Sequence, residues 1–153
     1  MKYLSFMLNN VNYAVDLDYV DSVDAYKGLP LRPFLLPLVI GTIEIKGQIV
    51  PVIDISKRIG LSGTDISKAK RIILFLVDDG TGKMISWGAL VDWVCGVETI
   101  ESYRFLETDE CAQRKLDSRK IIGIADNHGS PVILLDVESF FTLPEIESLL
   151  IAS

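Results

Sequence analysis

The strongest constraint on the fold is a hairpin pattern that occurs twice in the sequence. Its two copies are GTIEIKGQIVPVID (41–54) and GIADNHGSPVILLD (123–136). Each copy has two runs of β-favouring residues around a short turn that contains glycine, which is typical of a β-hairpin. Each is followed by a short segment with helical spacing, 55–59 and 137–141. The repetition predicts two similar β subdomains.

The rest of the chain adds further short strands. Alternating apolar and polar residues predict a hairpin over residues 3–17, and a second strand–loop–strand unit covers 71–93. Residues 18–26 fit either a short helix or a bent strand. The polar stretch 106–119 is predicted to be a long mobile excursion, and a proline opens a predicted C-terminal helix at 145–152. Many short strands at regular intervals indicate barrels or a sandwich with few helices.

Composition limits the possible partners. The chain has 153 residues, of which 49% are hydrophobic, which is enough to bury a sizeable core. The longest uncharged stretch, 33–43, is shorter than the roughly 18 apolar residues of a membrane span, and the N-terminus does not resemble a signal peptide. We therefore expect a cytoplasmic protein without membrane insertion. The net charge of −6 opposes binding to nucleic acid and favours a protein partner.

The sequence contains no recognisable catalytic or metal-binding motif. The single histidine, His128, lies in a predicted turn, where a buried orienting carboxylate is not expected. The two cysteines, Cys95 and Cys111, are isolated from each other and from other ligands, so neither a disulfide nor a zinc site is predicted. Gly80 to Lys83 ends like a phosphate-binding loop, but Met84 follows the lysine where serine or threonine is required. The residues point to no metal site and no cofactor, and no pair of carboxylates is selected for acid–base catalysis, although such a pair could converge from distant strands.

Several of these segments resemble the CheW-like domain family. The middle segment GTIEIKGQIVPVID is similar to the family signature GVxNLRGxxxPVxDL, and the match continues in order along nearly the whole chain. The segments that carry it are 13–16, 41–54, 88–92, 122–125 and 132–136.

The resemblance has implications for architecture and function. It implies one CheW-like domain over residues 1–153, built from two intertwined five-stranded SH3-like barrels that share a hydrophobic core. The first barrel would comprise about 15–70, and the second 1–14 plus 71–153. The resemblance also implies a non-catalytic adaptor in bacterial chemotaxis. Its partners would be the cytoplasmic tip of chemoreceptors and the regulatory barrel domain of a CheA-like histidine kinase.

Family positions carried onto this sequence predict a partner-binding groove. Ile43 and Val91 would supply apolar contact, and Gly123 would allow close backbone approach. An equally weighted alternative makes Ile43 and Val91 ordinary inward-facing strand residues. The full predicted set is Val20, Ile43, Glu44, Lys46, Gly47, Val91 and Gly123.

The turn of this groove departs from the family pattern. Glu44 replaces a neutral asparagine, and Lys46 replaces an arginine, whose planar side chain can bind a carboxylate with two hydrogen bonds. Trp93 stands where a small residue is common, and would either fill part of the groove or anchor an altered partner. An alternative function is therefore a divergent scaffold in a pilus, motility or other kinase pathway. An unrelated β-barrel enzyme or nucleic-acid binder is a third hypothesis.

Overall fold

The computed structural model describes residues 1–28, 39–61, 66–78, 80–142 and 145. Ten strands dominate these residues. They are β1 (Lys2–Leu8), β2 (Val11–Asp16), β3 (Val20–Ala25), β4 (Val39–Ile45), β5 (Gln48–Ile53), β6 (Arg71–Asp78), β7 (Met84–Val91), β8 (Trp93–Thr99), β9 (Ile121–Asn127) and β10 (Ser130–Leu135). Two short α-helices accompany them, α1 (Ile55–Arg58) and α2 (Thr108–Gln113). The predominance of strands confirms the predicted fold class.

The strands form two five-stranded sheets through which the chain passes in turn. The first sheet has the order β8-β1-β2-β10-β9 and the second has the order β3-β6-β7-β5-β4. The chain therefore begins in the first sheet, builds the whole of the second, and returns to complete the first. Each sheet contains one parallel pair, β2 with β10 and β5 with β7, among antiparallel neighbours. This interleaving confirms the prediction of two intertwined five-stranded subdomains.

The sheets divide the chain differently from the predicted boundary at residue 70. The prediction assigned residues 71–153 to the second barrel, yet β6 and β7 are hydrogen-bonded in the same sheet as β3, β4 and β5. The pairing of β3 with β6, in which Val23 lies opposite Ile73, makes this connection. β5 and β6 belong to the same sheet. The segment that joins them therefore connects two strands of one sheet, and does not mark a boundary between the two subdomains.

The two copies of the repeated hairpin adopt the same geometry. Gly41 lies opposite Val52 in one copy, and Gly123 lies opposite Leu134 in the other. Both copies also contain a register irregularity on the side away from the turn. The repeated sequence pattern therefore corresponds to a repeated backbone structure.

One hydrophobic core connects the two sheets. The indole of Trp87 on β7 stacks on Phe75 with their ring centroids 4.2 Å apart, and Phe140 lies 5.9 Å from Trp87. In the first sheet Phe6 and Tyr13 pack into the same cluster. Burial of several large aromatic rings stabilises the joint between the sheets, since each fully buried ring contributes about 1.5–3 kcal/mol.

The segment predicted to be a long mobile excursion is folded onto the core. Helix α2 begins with a capping box formed by Glu107 and Glu110. Cys111 and Leu116 are buried against the main cluster, and these few apolar residues fix an otherwise polar segment. Residues 17–19 form a 3₁₀ turn that leads into β3, so the segment 18–26 is chiefly a strand. The predicted C-terminal helix lies outside the described residues except for its first residue.

Candidate protein-interaction surfaces

The turn between β4 and β5 presents charged side chains at the surface. Glu44, Lys46 and Gly47 are all exposed. Lys46 and Gly47 have φ angles of 52° and 79°, the left-handed pair required by a tight two-residue hairpin turn. The glycine is needed at the second position because a side chain there would be strained. The turn is thus a fixed surface feature that carries one carboxylate and one ammonium group.

Two of the predicted apolar contact residues are buried. Val91, at the end of β7, is 0% exposed and belongs to the main core. Ile43 is 7% exposed and packs in a smaller cluster beside Val50. Both positions fit the alternative in which they are inward-facing strand residues. Val20 is half-buried at the start of the outer strand β3, opposite Phe75.

Gly123 has a structural reason to be glycine within this chain. It lies on β9 of the first sheet, whereas the other six predicted residues belong to the second sheet or its turn. An added Cβ would lie 2.4 Å from the carbonyl oxygen of Arg104 and 2.7 Å from the Tyr103 ring. The space beside Gly123 is therefore already filled by the chain itself. The seven predicted residues do not form a single continuous cluster.

The outer strand β8 carries exposed apolar side chains on both of its faces, which the sequence reasoning did not assign to the site as a whole. Trp93 is 48% exposed and Val97 is 54% exposed, and Cys95 between them is also exposed. β8 pairs only with β1 among the described strands. A register irregularity in the pairing with β1 leaves Cys95 unpaired, so Trp93, opposite Met7, and Val97, opposite Leu4, lie on opposite faces of the sheet. Exposed large apolar side chains at a sheet edge are characteristic of protein-binding surfaces.

A second exposed aromatic pair lies beside β9. Phe105 is 74% exposed, and its ring lies edge-on to Tyr103 at a centroid distance of 5.7 Å. Next to them is an open pocket of about 560 Å³, whose walls include Arg114, Asp126 and Pro131. This face offers aromatic contact next to charges of both signs, a mixture common at protein interfaces.

The shifted ionisable groups are engaged in structural contacts. Burial raises the pKa of the Tyr19 hydroxyl, which donates a hydrogen bond to Glu138. Burial also lowers the pKa of the Lys120 ammonium group, which donates to the carbonyl oxygen of Ser139. Burial raises the pKa of the exposed Cys95 thiol, so this group is less nucleophilic than an ordinary cysteine. These shifts are explained by packing and pairing.

Across the described parts of the chain, no group of three or more histidine, cysteine or acidic side chains is placed to hold a metal ion. His128 is exposed at the turn between β9 and β10, where it has a φ of 52°. No helix in the described residues combines the length and apolar character needed to cross a membrane. The prominent surface features of these residues are therefore an outer strand, a charged turn and exposed aromatic rings.

Comparison with known protein families covers nearly the full chain. The model of the CheW-like domain matches residues 2–145. The chain belongs to the CheW-like domain family. Two relatives named "Chemotaxis protein CheW" are each 29% identical to it. The one from Bacillus subtilis aligns over 116 residues, 76% of this chain and 71% of the relative, and the one from Thermotoga maritima over 135 residues, 88% and 83% respectively.

A solved structure of the CheW-like family has the same architecture. The scaffolding protein TtCheW from Thermoanaerobacter tengcongensis superposes with a TM-score of 0.71 at 26% sequence identity. The superposition covers 92% of this chain and 87% of that protein. The resemblance stated from the sequence motifs is therefore confirmed at the level of both family and fold.

Proposed function

We propose that this chain is a non-catalytic chemotaxis scaffold that couples chemoreceptors to a CheA-like histidine kinase in the cytoplasm. The observation that carries the proposal is the outer strand β8, with exposed side chains at Trp93 and Val97, in a chain of the CheW-like family. A scaffold needs two separate docking surfaces and no reactive group. The second surface is the aromatic face of Tyr103 and Phe105, which belongs to a different outer edge of the same sheet.

We further propose that the receptor tip contacts Val20 and the turn formed by Glu44, Lys46 and Gly47. Val20 offers a half-buried apolar side chain on an outer strand, and the turn offers charges in a fixed backbone. Charged groups at the rim of an interface mainly set specificity and association rate, while apolar contacts supply most of the affinity.

The other members of the predicted set pack within the two sheets and do not lie at this surface. Ile43 packs beneath the β4–β5 hairpin, and Val91 packs in the main core at the end of β7. Gly123 keeps β9 close to the residue 103–104 segment. Their contribution to partner binding is therefore through the shape of the scaffold.

The experiment is a pull-down from the native cell followed by binding with purified partners. Both a CheA-like kinase and a receptor should be recovered, and recovery of neither would contradict the proposal. With the purified barrel domain of the kinase, Val97→Glu should weaken binding because it places a charge among the exposed apolar side chains of β8. Met84→Glu is the matched control, since Met84 is 49% exposed on the other sheet.

A second candidate is a divergent scaffold of the same fold in a pilus, motility or other kinase pathway. The observation that favours it is the exposed pair Glu44 and Lys46, where the family pattern has asparagine and arginine. Glu44→Asn combined with Lys46→Arg should then shift the preference between chemotaxis receptors and the native partner. If neither receptor binding nor kinase binding changes, this turn does not determine the partner.

A further inference from the structure

A cavity of about 510 Å³ lies beside the β1–β2 hairpin, where the first sheet meets the segments that follow α1 and α2. Leu8, Tyr13 and Ile133 line it and are at most 3% exposed, since they belong to the main core. Val11 and Leu61 are partly exposed and continue the apolar wall. Cavities of about 300–1,000 Å³ with mostly apolar walls and a few polar groups are the usual sites of small ligands. The size and lining of this cavity are therefore those of a small-molecule site.

The charged side of the cavity is built on a fixed backbone. Arg114 and Lys115 directly follow α2, and Lys115 has a left-handed φ of 58°. A Cβ at Gly60 would lie 2.9 Å from the carbonyl oxygen of Lys115, so the segments after α1 and α2 are in direct backbone contact. The backbone N–H of Asp117 also donates to the carbonyl oxygen of Ile59 at 2.8 Å. A ligand would therefore meet groups that are already in position, which lowers the entropy cost of binding.

The two cations at this cavity have no acidic partner of their own. Arg114 and Lys115 are exposed, and neither forms an ion pair with a side chain in the described parts of the chain. The nearest carboxylates in sequence, Glu110 and Asp117, are each bound by a different arginine at 2.9 Å. In a protein with a net charge of −6, two such cations beside an apolar cavity favour an anionic ligand.

The Tyr13 hydroxyl adds a neutral donor to these charges. The Tyr13 side chain is 2% exposed and its ring stacks on Phe6, yet its hydroxyl has no hydrogen-bond partner within the residues that the structure describes. Burial raises the pKa of this hydroxyl, and the positive charge of Arg114 acts on it in the opposite direction. The guanidinium is thus within electrostatic range of the hydroxyl. A protonated phenol and a guanidinium can both donate hydrogen bonds to one anionic group.

We propose that this cavity binds a small apolar carboxylate, with the carboxylate group held by Arg114, Lys115 and the Tyr13 hydroxyl. The hydrocarbon body would pack on the apolar wall at Leu8 and Leu61. The planar guanidinium can bind a carboxylate with two hydrogen bonds, and the ammonium group adds a second positive charge. This site involves no partner protein, so the inference does not depend on the proposed coupling function.

The first test is calorimetric titration of the full chain with octanoate and with 3-phenylpropanoate, which carry a linear and an aromatic apolar body. Octylamine and 3-phenylpropylamine are the matched controls, because they keep each body and reverse the charge. At least one acid should bind saturably at one site, about tenfold or more tighter than the amine with the same body. The same acid should raise the melting temperature as its concentration increases.

The second test removes the charges. Arg114→Gln combined with Lys115→Gln should weaken binding of the acid at least about tenfold, because the charge-assisted hydrogen bonds are lost. The matched control is Lys68→Gln combined with Lys70→Gln, which removes two exposed cations from another part of the chain. The control should change the affinity less than about twofold, since distant exposed charges are screened by salt.

The third test changes the wall of the cavity. Tyr13→Phe should weaken binding of the acid a few-fold without lowering the melting temperature, because the hydroxyl has no protein partner to lose. Val11→Trp should block binding by filling the cavity from a position that is 37% exposed. Val97→Trp is its control, since Val97 is an exposed valine on a strand that does not line the cavity.

The outcomes decide the inference independently of any partner. Failure of both acids to bind, or equal affinity for an acid and its amine, would refute the site. It would also be refuted if the double glutamine variant lost stability but no affinity, because the two cations would then serve only the end of α2. Binding that survives Val11→Trp would place the ligand elsewhere and overturn the proposal. Thermal melts identify any variant that fails to fold, and the comparison of acid and amine on the natural chain then decides.

Discussion

Replacing Gly123 by alanine directly tests the packing of the outer strand β9. A Cβ at this position would meet the Arg104 carbonyl oxygen at 2.4 Å and the Tyr103 ring at 2.7 Å, whereas ordinary contacts are 3.4–4 Å. Arg104 cannot easily move away, because its backbone exchanges two hydrogen bonds with Ile124, of 3.0 and 2.9 Å. The alanine must therefore displace backbone by about 1 Å, or break this bridge.

The expected cost follows from that displacement. Adding one carbon to a filled site typically costs about 1–3 kcal/mol when the neighbours must shift. For a domain of this size each kcal/mol lowers the melting temperature by about 2–4 °C. Gly123→Ala should therefore melt several degrees below the natural chain, and urea unfolding should give the same free-energy difference with an unchanged slope.

The matched control is Gly88→Ala, another glycine within a strand. Its Cβ would lie 3.0 Å from the Cδ1 atom of Ile72, the end of a side chain, which needs to shift by only a few tenths of an ångström. Both changes reduce the freedom of the unfolded chain equally, so that effect cancels in the comparison. If Gly123→Ala is no less stable than Gly88→Ala, the space beside β9 is not filled in the way described, and the internal explanation for this glycine is wrong.

Three further predictions concern stability. Trp87→Leu should lower the free energy of unfolding in urea by about 3 kcal/mol, because the Trp87 ring is 1% exposed. Trp93→Leu should lower it by less than about 1 kcal/mol, because the Trp93 ring is half-exposed. Equal losses would contradict the assigned burial. Arg58→Met should cost about 1–2 kcal/mol, since its guanidinium binds a main-chain carbonyl and a carboxylate in a part-buried site, and the more exposed Arg104→Met should cost less. A hydrogen bond from the Arg119 side chain lowers the pKa of Asp117 below its ordinary value, so the carboxylate stabilises the fold above that ordinary value and this stabilisation is lost as the pH falls through the lowered pKa. The difference in free energy of unfolding between the natural chain and Asp117→Asn should therefore shrink on acidification. A difference that stays constant would contradict this.

The hairpins were predictable because their determinants are local. Lys46 with Gly47, and His128 with Gly129, all adopt positive φ values, and the sequence shows glycine at the second position of each turn. The first hairpin likewise turns at an asparagine pair. A two-residue turn of this type sets the register of both flanking strands. Strand pairs that meet through such turns can therefore be read from a short window of sequence.

The assignment of strands to sheets required non-local information. The contact between β3 and β6 joins residues separated by the whole β4–β5 hairpin and α1. Helix α2 was missed because its sequence TDECAQ has a single buried residue, Cys111, and no apolar periodicity. In both cases the structure depends on contacts that the local pattern does not record.

The same limit applies to the candidate site. Exposure of Glu44 and Lys46 followed from the turn, but burial of Val91 did not, because β7 is buried on both faces over most of its length and shows no alternation. The placement of Trp93 and Val97 on opposite faces of β8 could not have been predicted either, because it depends on the register irregularity at Cys95. A residue chosen only because it matches a family position can therefore be assigned to a surface only when the buried and exposed faces of its strand are known.

The duplicated hairpins show how one backbone can carry two different surfaces. The tips have nearly identical φ values, 52° and 79° at Lys46 and Gly47, and 52° and 85° at His128 and Gly129. Glycine and the strand pattern determine that geometry, while the remaining tip residues are free to differ. One tip therefore presents an ammonium group, and the other presents an imidazole. Because the two tips belong to different sheets, we expect a substitution at one tip to leave the backbone of the other unchanged, so that each sheet can vary its surface chemistry within a common fold.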